Sequence, residues 1–227
     1  MKKTVKQAFL ATIPVLSGYL VLGFGFGIVM KSAGYDLLLA FVMSLAIYAG
    51  SMQYVAVGLF AGGASLLTVA LTTLMVNARH LFYGISMLDR YGKMGSARPY
   101  LIFSLTDETY SLLCGDLSHN EPPYQRTYCL WVSLLDHAYW VLGTVLGFLA
   151  GALLRLNTEG IEFALTALFL TVFIEQWLQG GRRVSASVGV FATLGCLLVF
   201  GAESFLIPSM LVIALVLCLQ KEGVRRA

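Results

Sequence analysis

Charged residues are scarce in this sequence. Aspartate, glutamate, lysine and arginine together make up 12% of its 227 residues, about half the fraction that is usual in soluble domains. Hydrophobic residues make up 58% of the chain, and the mean hydropathy is +0.80. Several continuous apolar stretches reach or approach the roughly 20 residues that a helix needs to cross a bilayer. The composition therefore predicts an all-α, polytopic helical membrane protein, and the absence of period-two alternation disfavours a transmembrane barrel.

Signatures of enzymes are missing as well. The sequence contains no Walker-type loop, no H-E-x-x-H and no G-x-S-x-G motif. Its four cysteines show no metal-binding spacing, and nothing in the spacing of Ser51 and His80 requires an intramembrane protease dyad. We therefore expect no enzyme, no cofactor and no metal site. The net charge of +3 lies at loops and ends, which bears on orientation in a membrane and does not indicate nucleic-acid binding.

The chain divides into eight apolar segments. No stretch resembles a separate soluble domain, so residues 1–227 are predicted to form a single transmembrane domain. Segment four is short and carries Asp107 and Glu108, which is typical of a half-span packed against other helices. We expect seven or eight membrane crossings, with some segments broken or re-entrant. The segments are residues 8–30, 37–61, 65–88, 99–115, 128–154, 161–178, 185–201 and 205–219.

The distribution of lysine and arginine predicts the orientation of the chain. If every segment crosses, the bias places both termini in the cytoplasm. The loop 89–98 conflicts with this bias, because Arg90, Lys93 and Arg98 would then lie on the outer side. A re-entrant segment in the first half of the chain would remove the conflict.

Glycine clusters near the end of segment one. Gly23, Gly25 and Gly27 alternate with phenylalanine, and each glycine weakens a helix by about 1 kcal/mol relative to alanine. One interpretation is an unwound stretch that lines a substrate path. The other is close packing of helices through small residues. A second glycine set, with i, i+4, i+8 spacing in segment five, predicts close packing. Its members are Gly143, Gly147 and Gly151.

Segment three ends in a polar cluster, Asn77-Ala-Arg-His-Leu-Phe-Tyr-Gly84. On a helix, Asn77, His80 and Gly84 share one face, while Arg79 and Tyr83 form an adjacent stripe. One interpretation is that Arg79 reaches the membrane surface and His80 contacts a carbonyl. The other, which we favour, is a polar wall of a permeation path in which His80 can titrate.

Acidic residues in segment four are candidate partners for this cation. An arginine in hydrocarbon costs roughly 3 to more than 10 kcal/mol unless it is paired or hydrated. Asp107 or Glu108 paired with Arg79 would offset that cost. Because adjacent residues on a helix point about 100° apart, at most one of the two acids easily meets the arginine. The alternative is that both acids lie wet near a membrane surface.

Further polar residues lie in three other segments. Gly50, Ser51 and Gln53 form a small and polar patch in segment two, which suits either the approach of a ligand or helix packing. Asp136 and His137 in segment five are candidates for a proton relay or for a local pair near the surface. Glu175, close to Gly180-Gly-Arg-Arg183, is either an interfacial acid or a proton-coupling carboxylate.

These motifs together resemble the AzlC family of branched-chain amino acid permeases. The resemblance implies an inner-membrane exporter of leucine, isoleucine and valine, and also of methionine. It further implies a small membrane partner of the AzlD type, and a higher oligomer is left open. The matching stretches are Gly23 to Gly27, Tyr48-Ala-Gly-Ser-Met-Gln-Tyr54, Asn77 to Gly84, Leu105-Thr-Asp-Glu108 and Glu175 to Arg183.

A mechanism follows as a hypothesis. A zwitterion needs a cation or a helix N-terminus for its carboxylate, and an acid or carbonyls for its ammonium group. Arg79 suits the first need and Asp107 or Glu108 the second. Apolar walls for an aliphatic side chain are expected at Phe24, Phe26, Met52 and Phe82. Two other functions stay open: a channel or importer for another small polar solute, and a non-transporting subunit whose polar groups serve assembly.

Overall fold

The computed structural model describes residues 2–114, 122–154, 170, 173–174, 177, 183–201, 205, 208–209, 211–213 and 215–217. Within these ranges the regular structure is helical and contains no strand, so the predicted all-α class is confirmed. The chain separates into two compact units, Met1–Glu162 and Phe163–Ala227. The single-domain expectation stays a prediction. Glu175 lies outside the described residues.

The first unit contains eight α-helices and two short helical turns in its described residues. In chain order they are α1 (Lys2–Ser32), α2 (Leu37–Val42), a π-helical turn (Met43–Ile47), α3 (Gly50–Ala61), α4 (Leu66–Asn77), α5 (Arg79–Tyr91), a 3₁₀ turn (Gly95–Ala97), α6 (Arg98–Phe103), α7 (Asp107–Cys114) and α8 (Pro122–Leu154).

In the second unit, α9 spans Arg183–Phe200. By length and composition, three described helices suffice to cross a membrane. Their apolar spans are Lys3–Ser32, Tyr124–Leu153 and Arg183–Phe200.

Helices α1 and α8 pack against each other in parallel. Near their beginnings, Tyr124 donates a hydrogen bond to Gln7. Near their ends, the Lys31 ammonium lies 5.5 Å from the centre of the Phe148 ring. The two helices therefore begin on one side of the membrane, which we call the near side, and end on the other, the far side.

The seam between α1 and α8 is built from glycine. A Cβ atom on Gly23 would lie 2.8 Å from the carbonyl oxygen of Trp140, and one on Gly143 would lie 2.9 Å from that of Tyr19. Helix α1 continues without interruption through residues 23–27. The unwound interpretation of this stretch is therefore wrong, and close packing is confirmed at Gly23 and at Gly27, whose added Cβ would clash with the α8 backbone.

The second apolar segment, α2 to α3, is a re-entrant hairpin. It begins just after α1 ends on the far side, and Tyr48 at its tip lies with its ring 4.3 Å from that of His137, midway along α8. Helix α3 then returns to the far side, where Phe60 packs edge-on against Tyr35 at 6.2 Å. The chain reverses at Tyr48, which adopts a left-handed conformation with φ 46°.

The third segment, α4 to α5, crosses the membrane. It starts after α3 on the far side and is interrupted at Ala78, between the two helices. It ends on the near side, because Tyr91 and Met94 share a buried apolar cluster with Ala8 and Cys129, which lie near the beginnings of α1 and α8.

The fourth segment, α6 to α7, is a second re-entrant hairpin, which enters from the near side. Arg126, at the beginning of α8, donates a hydrogen bond of 2.8 Å to Ser96, just before α6. After a break at residues 104–106, α7 turns back along α5, and the Tyr110 ring stacks on that of Tyr83 at 4.7 Å. Two of the eight apolar segments therefore return to the side from which they enter, as the expectation of broken or re-entrant segments allows. The total of seven or eight crossings stays a prediction, because segments 161–178 and 205–219 lie largely outside the described residues.

This topology removes the conflict in the charge distribution. Because α2 to α3 returns to the far side, the loop that carries Arg90, Lys93 and Arg98 lies on the near side with the chain start. Lys6 and Arg126 lie on that side as well. Most basic residues at the described loops and helix ends of the first unit thus lie on the near side, while Lys31 lies on the far side. This is the bias that the positive-inside rule describes.

Candidate functional site

Three helix interruptions meet near the middle of the first unit. They lie at residues 48–49, at Ala78 and at residues 104–106. At Ala49, φ −127° and ψ 78° precede the first turn of α3. The Ser104 hydroxyl donates a hydrogen bond of 2.8 Å to the carbonyl oxygen of Tyr100. Such a side-chain hydrogen bond competes with the backbone hydrogen bonds that would continue the helix. Thr106 accepts a hydrogen bond of 3.2 Å from the backbone N–H of Thr109 and caps α7.

Arg79 joins the tips of the two re-entrant hairpins. One terminal nitrogen donates a hydrogen bond of 2.6 Å to the Asp107 carboxylate, and the other donates one of 3.1 Å to the Ser51 hydroxyl. The side chains of Arg79 and Asp107 are 37% and 32% exposed. The predicted ion pair is confirmed, and Asp107 rather than Glu108 makes it. Arg79 therefore does not reach for the membrane surface but stays at the junction of the hairpins.

Glu108 belongs to a different set of contacts behind that ion pair. The Tyr19 hydroxyl donates a hydrogen bond of 2.8 Å to the Glu108 carboxylate, and it lies 2.7 Å from the hydroxyl of Thr106. The hydroxyls of Thr106 and Thr109 are 3.1 Å apart, and the Thr109 hydroxyl donates a hydrogen bond of 2.8 Å to the Asp136 carboxylate. The result is an unbroken chain of polar groups between two carboxyls, which we call the carboxyl chain.

His137 does not join Asp136 in this carboxyl chain. Its Nδ1 atom lies 3.1 Å from the Tyr100 hydroxyl on α6, and its ring packs on Tyr48. Asp136 is fully buried, and its Oδ1 atom has no hydrogen-bond partner among the described residues. The two neighbours in sequence therefore contact different parts of the site.

The patch in segment two serves partly as packing. Gln53 is fully buried. Its side-chain amide donates a hydrogen bond of 3.1 Å to Ser44 of the π-helical turn and accepts one of 2.9 Å from the Trp140 ring nitrogen. A Cβ on Gly50 would lie 2.9 Å from the Trp140 ring, so the absence of a side chain there lets the hairpin approach α8. The absence of a side chain at Gly25 likewise leaves room for the Tyr54 hydroxyl. That hydroxyl donates a hydrogen bond of 2.6 Å to the carbonyl oxygen of Leu22.

The two predicted faces of segment three are separate in the structure. Asn77, His80 and Gly84 line one cavity, of about 510 Å³, while Arg79 and Tyr83 face α7. His80 Nδ1 lies 3.1 Å from the carbonyl oxygen of Asn77, so the carbonyl contact expected in the first interpretation is present. The shared face predicted from helical spacing is confirmed.

Sequence reasoning did not find Tyr19 or Thr109 as members of the site. Tyr19 carries no motif, since a single tyrosine in an apolar helix is common. Thr109 follows Thr106 at the spacing of a helix cap, which was the only available signal. Among the expected apolar walls, Phe26 and Met52 are buried in the interior of the unit and Phe24 is exposed, and none of the three lines the 510 Å³ cavity. The side chain of Phe82 lies outside the described part of the structure.

Comparison with known proteins places these motifs in a family. The profile described as AzlC protein matches residues 14–154. The chain is 41% identical to the branched-chain amino acid transport protein AzlC of Bacillus subtilis, over 98% of this chain and 87% of that protein. It is 42% identical to an uncharacterized membrane protein of Haemophilus influenzae, over 96% of this chain and 89% of that one.

A more distant relative is the inner membrane protein YgaZ of Escherichia coli, which is 28% identical over 87% of this chain and 80% of that protein. No solved structure matches the chain. The matched region covers segment one from Pro14 onward and segments two to five in full, including the interrupted helices and Arg79. The chain belongs to the AzlC protein family.

Proposed function

We propose that this protein is a secondary active transporter that exports branched-chain amino acids across the inner membrane, together with a small membrane subunit of the AzlD type. The observation that carries the proposal is the position of Arg79, held by Asp107 and Ser51 where two hairpins from opposite sides meet. The transport function named for the Bacillus subtilis relative supports it.

The chemistry of this junction suits a zwitterion. The Arg79 guanidinium offers a planar, permanently charged fork to a carboxylate. The first N–H groups of α3 have no partner within the helix and add partial positive charge beside Ser51. Asp107 offers a carboxylate to the substrate ammonium group. We propose that substrate binding opens the Arg79–Asp107 pair, with each partner taking the opposite end of the amino acid.

The two hairpins provide a route for alternating access. Each tip lies midway across the bundle, and each hairpin opens to a different side of the membrane. Non-helical backbone at this depth is tolerated where protein or a water-filled cavity satisfies it. Movement of one hairpin away from Arg79 would expose the junction to one side only, which is the geometry that a transporter needs.

Exchange in proteoliposomes tests the substrate and the site together. We expect the wild type, reconstituted with its partner subunit, to show counterflow of labelled leucine, which a channel does not show. Arg79→Ala and Asp107→Asn should each lower the rate at least tenfold, because an interaction of about 1.4 kcal/mol already accounts for a factor of ten. Arg126→Ala is the matched control, because it removes a near-side arginine that also donates a hydrogen bond to a serine, Ser96. Normal exchange in both site variants at normal abundance would refute the assignment.

We propose that the carboxyl chain carries the coupling proton. Its groups, Glu108, Tyr19, Thr106, Thr109 and Asp136, make four successive contacts. Only three of the groups are hydroxyls, so three hydrogen bonds can be filled by hydroxyl protons. All four contacts are filled only when one carboxyl carries a proton and donates it to its neighbouring hydroxyl, which reverses the direction of that hydrogen bond from the one described above. A buried chain that holds one proton between two acids is suited to pick it up and release it.

Removing one end of the carboxyl chain should separate exchange from coupling. We expect Asp136→Asn to retain leucine counterflow but to lose the accumulation of leucine that an imposed proton gradient drives. Ser133→Ala, a buried neighbour one turn away, is the control. Gradient-driven accumulation at the wild-type level in Asp136→Asn would exclude this role.

We further propose that both termini are cytoplasmic and that the near side is the cytoplasmic side. The gathering of Lys6, Arg90, Lys93, Arg98 and Arg126 on that side supports the orientation. Dependence of leucine export on coexpression of the small subunit would test the partner.

A further inference from the structure

A cavity lies on the opposite face of α5 from Arg79. It has a volume of about 510 Å³ and lies between α4 and α5 on one side and the tips of both hairpins on the other. Tyr48 and Ala49 come from the far-side hairpin, and Phe103 and Leu105 from the near-side hairpin.

The lining of this cavity is largely aliphatic and aromatic. Its inner part is formed by buried side chains, among them Met87 and Tyr91, each 2% exposed. Its rim carries exposed leucines at positions 74, 81 and 88. Asn77 and His80 add polar groups on the α4–α5 side. Such a mostly apolar space with a few polar groups has the composition of a small-molecule pocket.

Two small residues connect this cavity with the Arg79 junction along the chain. Ala49 lines the cavity and immediately precedes the turn of α3 that holds Ser51. Ala78 lines it as well and immediately precedes Arg79. In both segments, residues that line the cavity are therefore followed closely by residues of the junction, so an apolar space lies beside a ligand that is held there by its charged groups.

We propose that this cavity receives the aliphatic side chain of the transported amino acid and sets its preferred size. This inference rests on the proposed function. The cavity is lined by residues of the hairpin tips that hold the charged junction, whereas Phe26 and Met52, two of the apolar walls expected from the sequence, are buried and do not line it. Burial of each additional methylene there contributes about 0.8 kcal/mol to binding, so longer side chains are favoured until the space is full.

Gly84 allows the cavity to be filled without strain. It lines the cavity, and no heavy atom lies within 4 Å of the position that its Cβ would take. Gly84→Leu should therefore project a side chain into open space. Gly58→Leu is the matched control, because Gly58 is also helical, has equally open space and does not line the cavity.

The test compares leucine and alanine counterflow in proteoliposomes with the partner subunit present. We expect Gly84→Leu to lower the ratio of leucine to alanine exchange about tenfold, which is the lower end of the discrimination that one methylene produces in an apolar pocket. Gly84→Ala should give a smaller shift in the same direction. Gly58→Leu should leave the ratio unchanged.

The outcomes separate the possible errors. Absence of leucine and alanine counterflow in the wild type would refute the proposed function itself. Normal wild-type exchange with an unchanged ratio in both Gly84 variants would overturn the pocket alone. An unchanged ratio accompanied by less copurified lipid in Gly84→Leu would assign the cavity to an acyl chain instead. If Gly84→Leu does not yield a monodisperse protein, the ratio in Gly84→Ala decides between these outcomes.

Discussion

Arg79 carries a charge that hydrocarbon cannot solvate. Its two terminal nitrogens reach Asp107 and Ser51, while its Nε atom has no hydrogen-bond partner in the described part of the chain. The planar guanidinium allows one side chain to contact both hairpin tips, which a lysine ammonium on a flexible stem would not reproduce. The residue therefore has a structural task in addition to the proposed binding of substrate.

Removing Asp107 should destabilise the protein more than removing the pair. Asp107→Ala leaves the arginine without its acid, and we expect a loss of about 1–2 kcal/mol. This lies below the 3–5 kcal/mol of fully buried pairs, because both side chains keep about a third of their exposure. The double variant Arg79→Gln/Asp107→Ala should recover part of the loss. Thermal unfolding in detergent measures this, and a double variant less stable than Asp107→Ala would contradict it.

At the scale of helices, the pairing of α1 with α8 fixes the site. Tyr19 on α1 and Asp136 on α8 hold the two sides of α7 through Glu108 and Thr109. The glycine seam sets the distance between these helices, because carbonyl oxygens of one helix lie where a Cβ of the other would stand. Close approach of two backbones also permits dispersion contacts that lipid cannot replace.

A methyl group in the seam should force the two helices apart. We expect Gly23→Ala to destabilise the protein by about 1–3 kcal/mol, the usual cost of overpacking. Gly18→Ala lies on the same helix with nothing within 4 Å of its Cβ position, and it should be neutral or slightly stabilising. Unfolding temperatures of the two variants make the comparison. Equal stability of both would show that the seam tolerates expansion.

At the scale of the whole first unit, two hairpins enter the bundle from opposite sides and three segments cross it. The arrangement places interrupted helices side by side at one depth. It also places the connections at residues 33–36 and 62–65 on the same side, where a chain of simple crossings would place them on opposite sides.

Chemical labelling distinguishes these topologies. In a variant without native cysteines, Ala33→Cys and Ala64→Cys should both react with a membrane-impermeant maleimide added to intact cells with a permeabilised outer envelope. Ser96→Cys lies on the near side. If that side is cytoplasmic, as we propose, it should react only after the membrane that holds the protein is disrupted. Labelling of Ala33→Cys and Ala64→Cys from opposite sides would show that α2 to α3 crosses the membrane.

The sequence by itself determined the features that depend on local composition and helical period. Apolar length predicted membrane helices, and the spacing of Asn77, His80 and Gly84 predicted their common face. The cost of an unpaired arginine in hydrocarbon predicted an acidic partner for Arg79. Each of these follows from residues within a few turns of one another or from the solvation of one group.

Only the tertiary structure decided which segments return and which acid meets the arginine. An apolar run of 25 residues, such as 37–61, has the length of one crossing or of two half-helices. The left-handed turn at Tyr48 makes this run two half-helices instead of one crossing. The Tyr48 ring packs on His137 at that turn. Asp107 and Glu108 point about 100° apart on α7, so the rotation of that helix against α1 and α5 gives the first to Arg79 and the second to Tyr19.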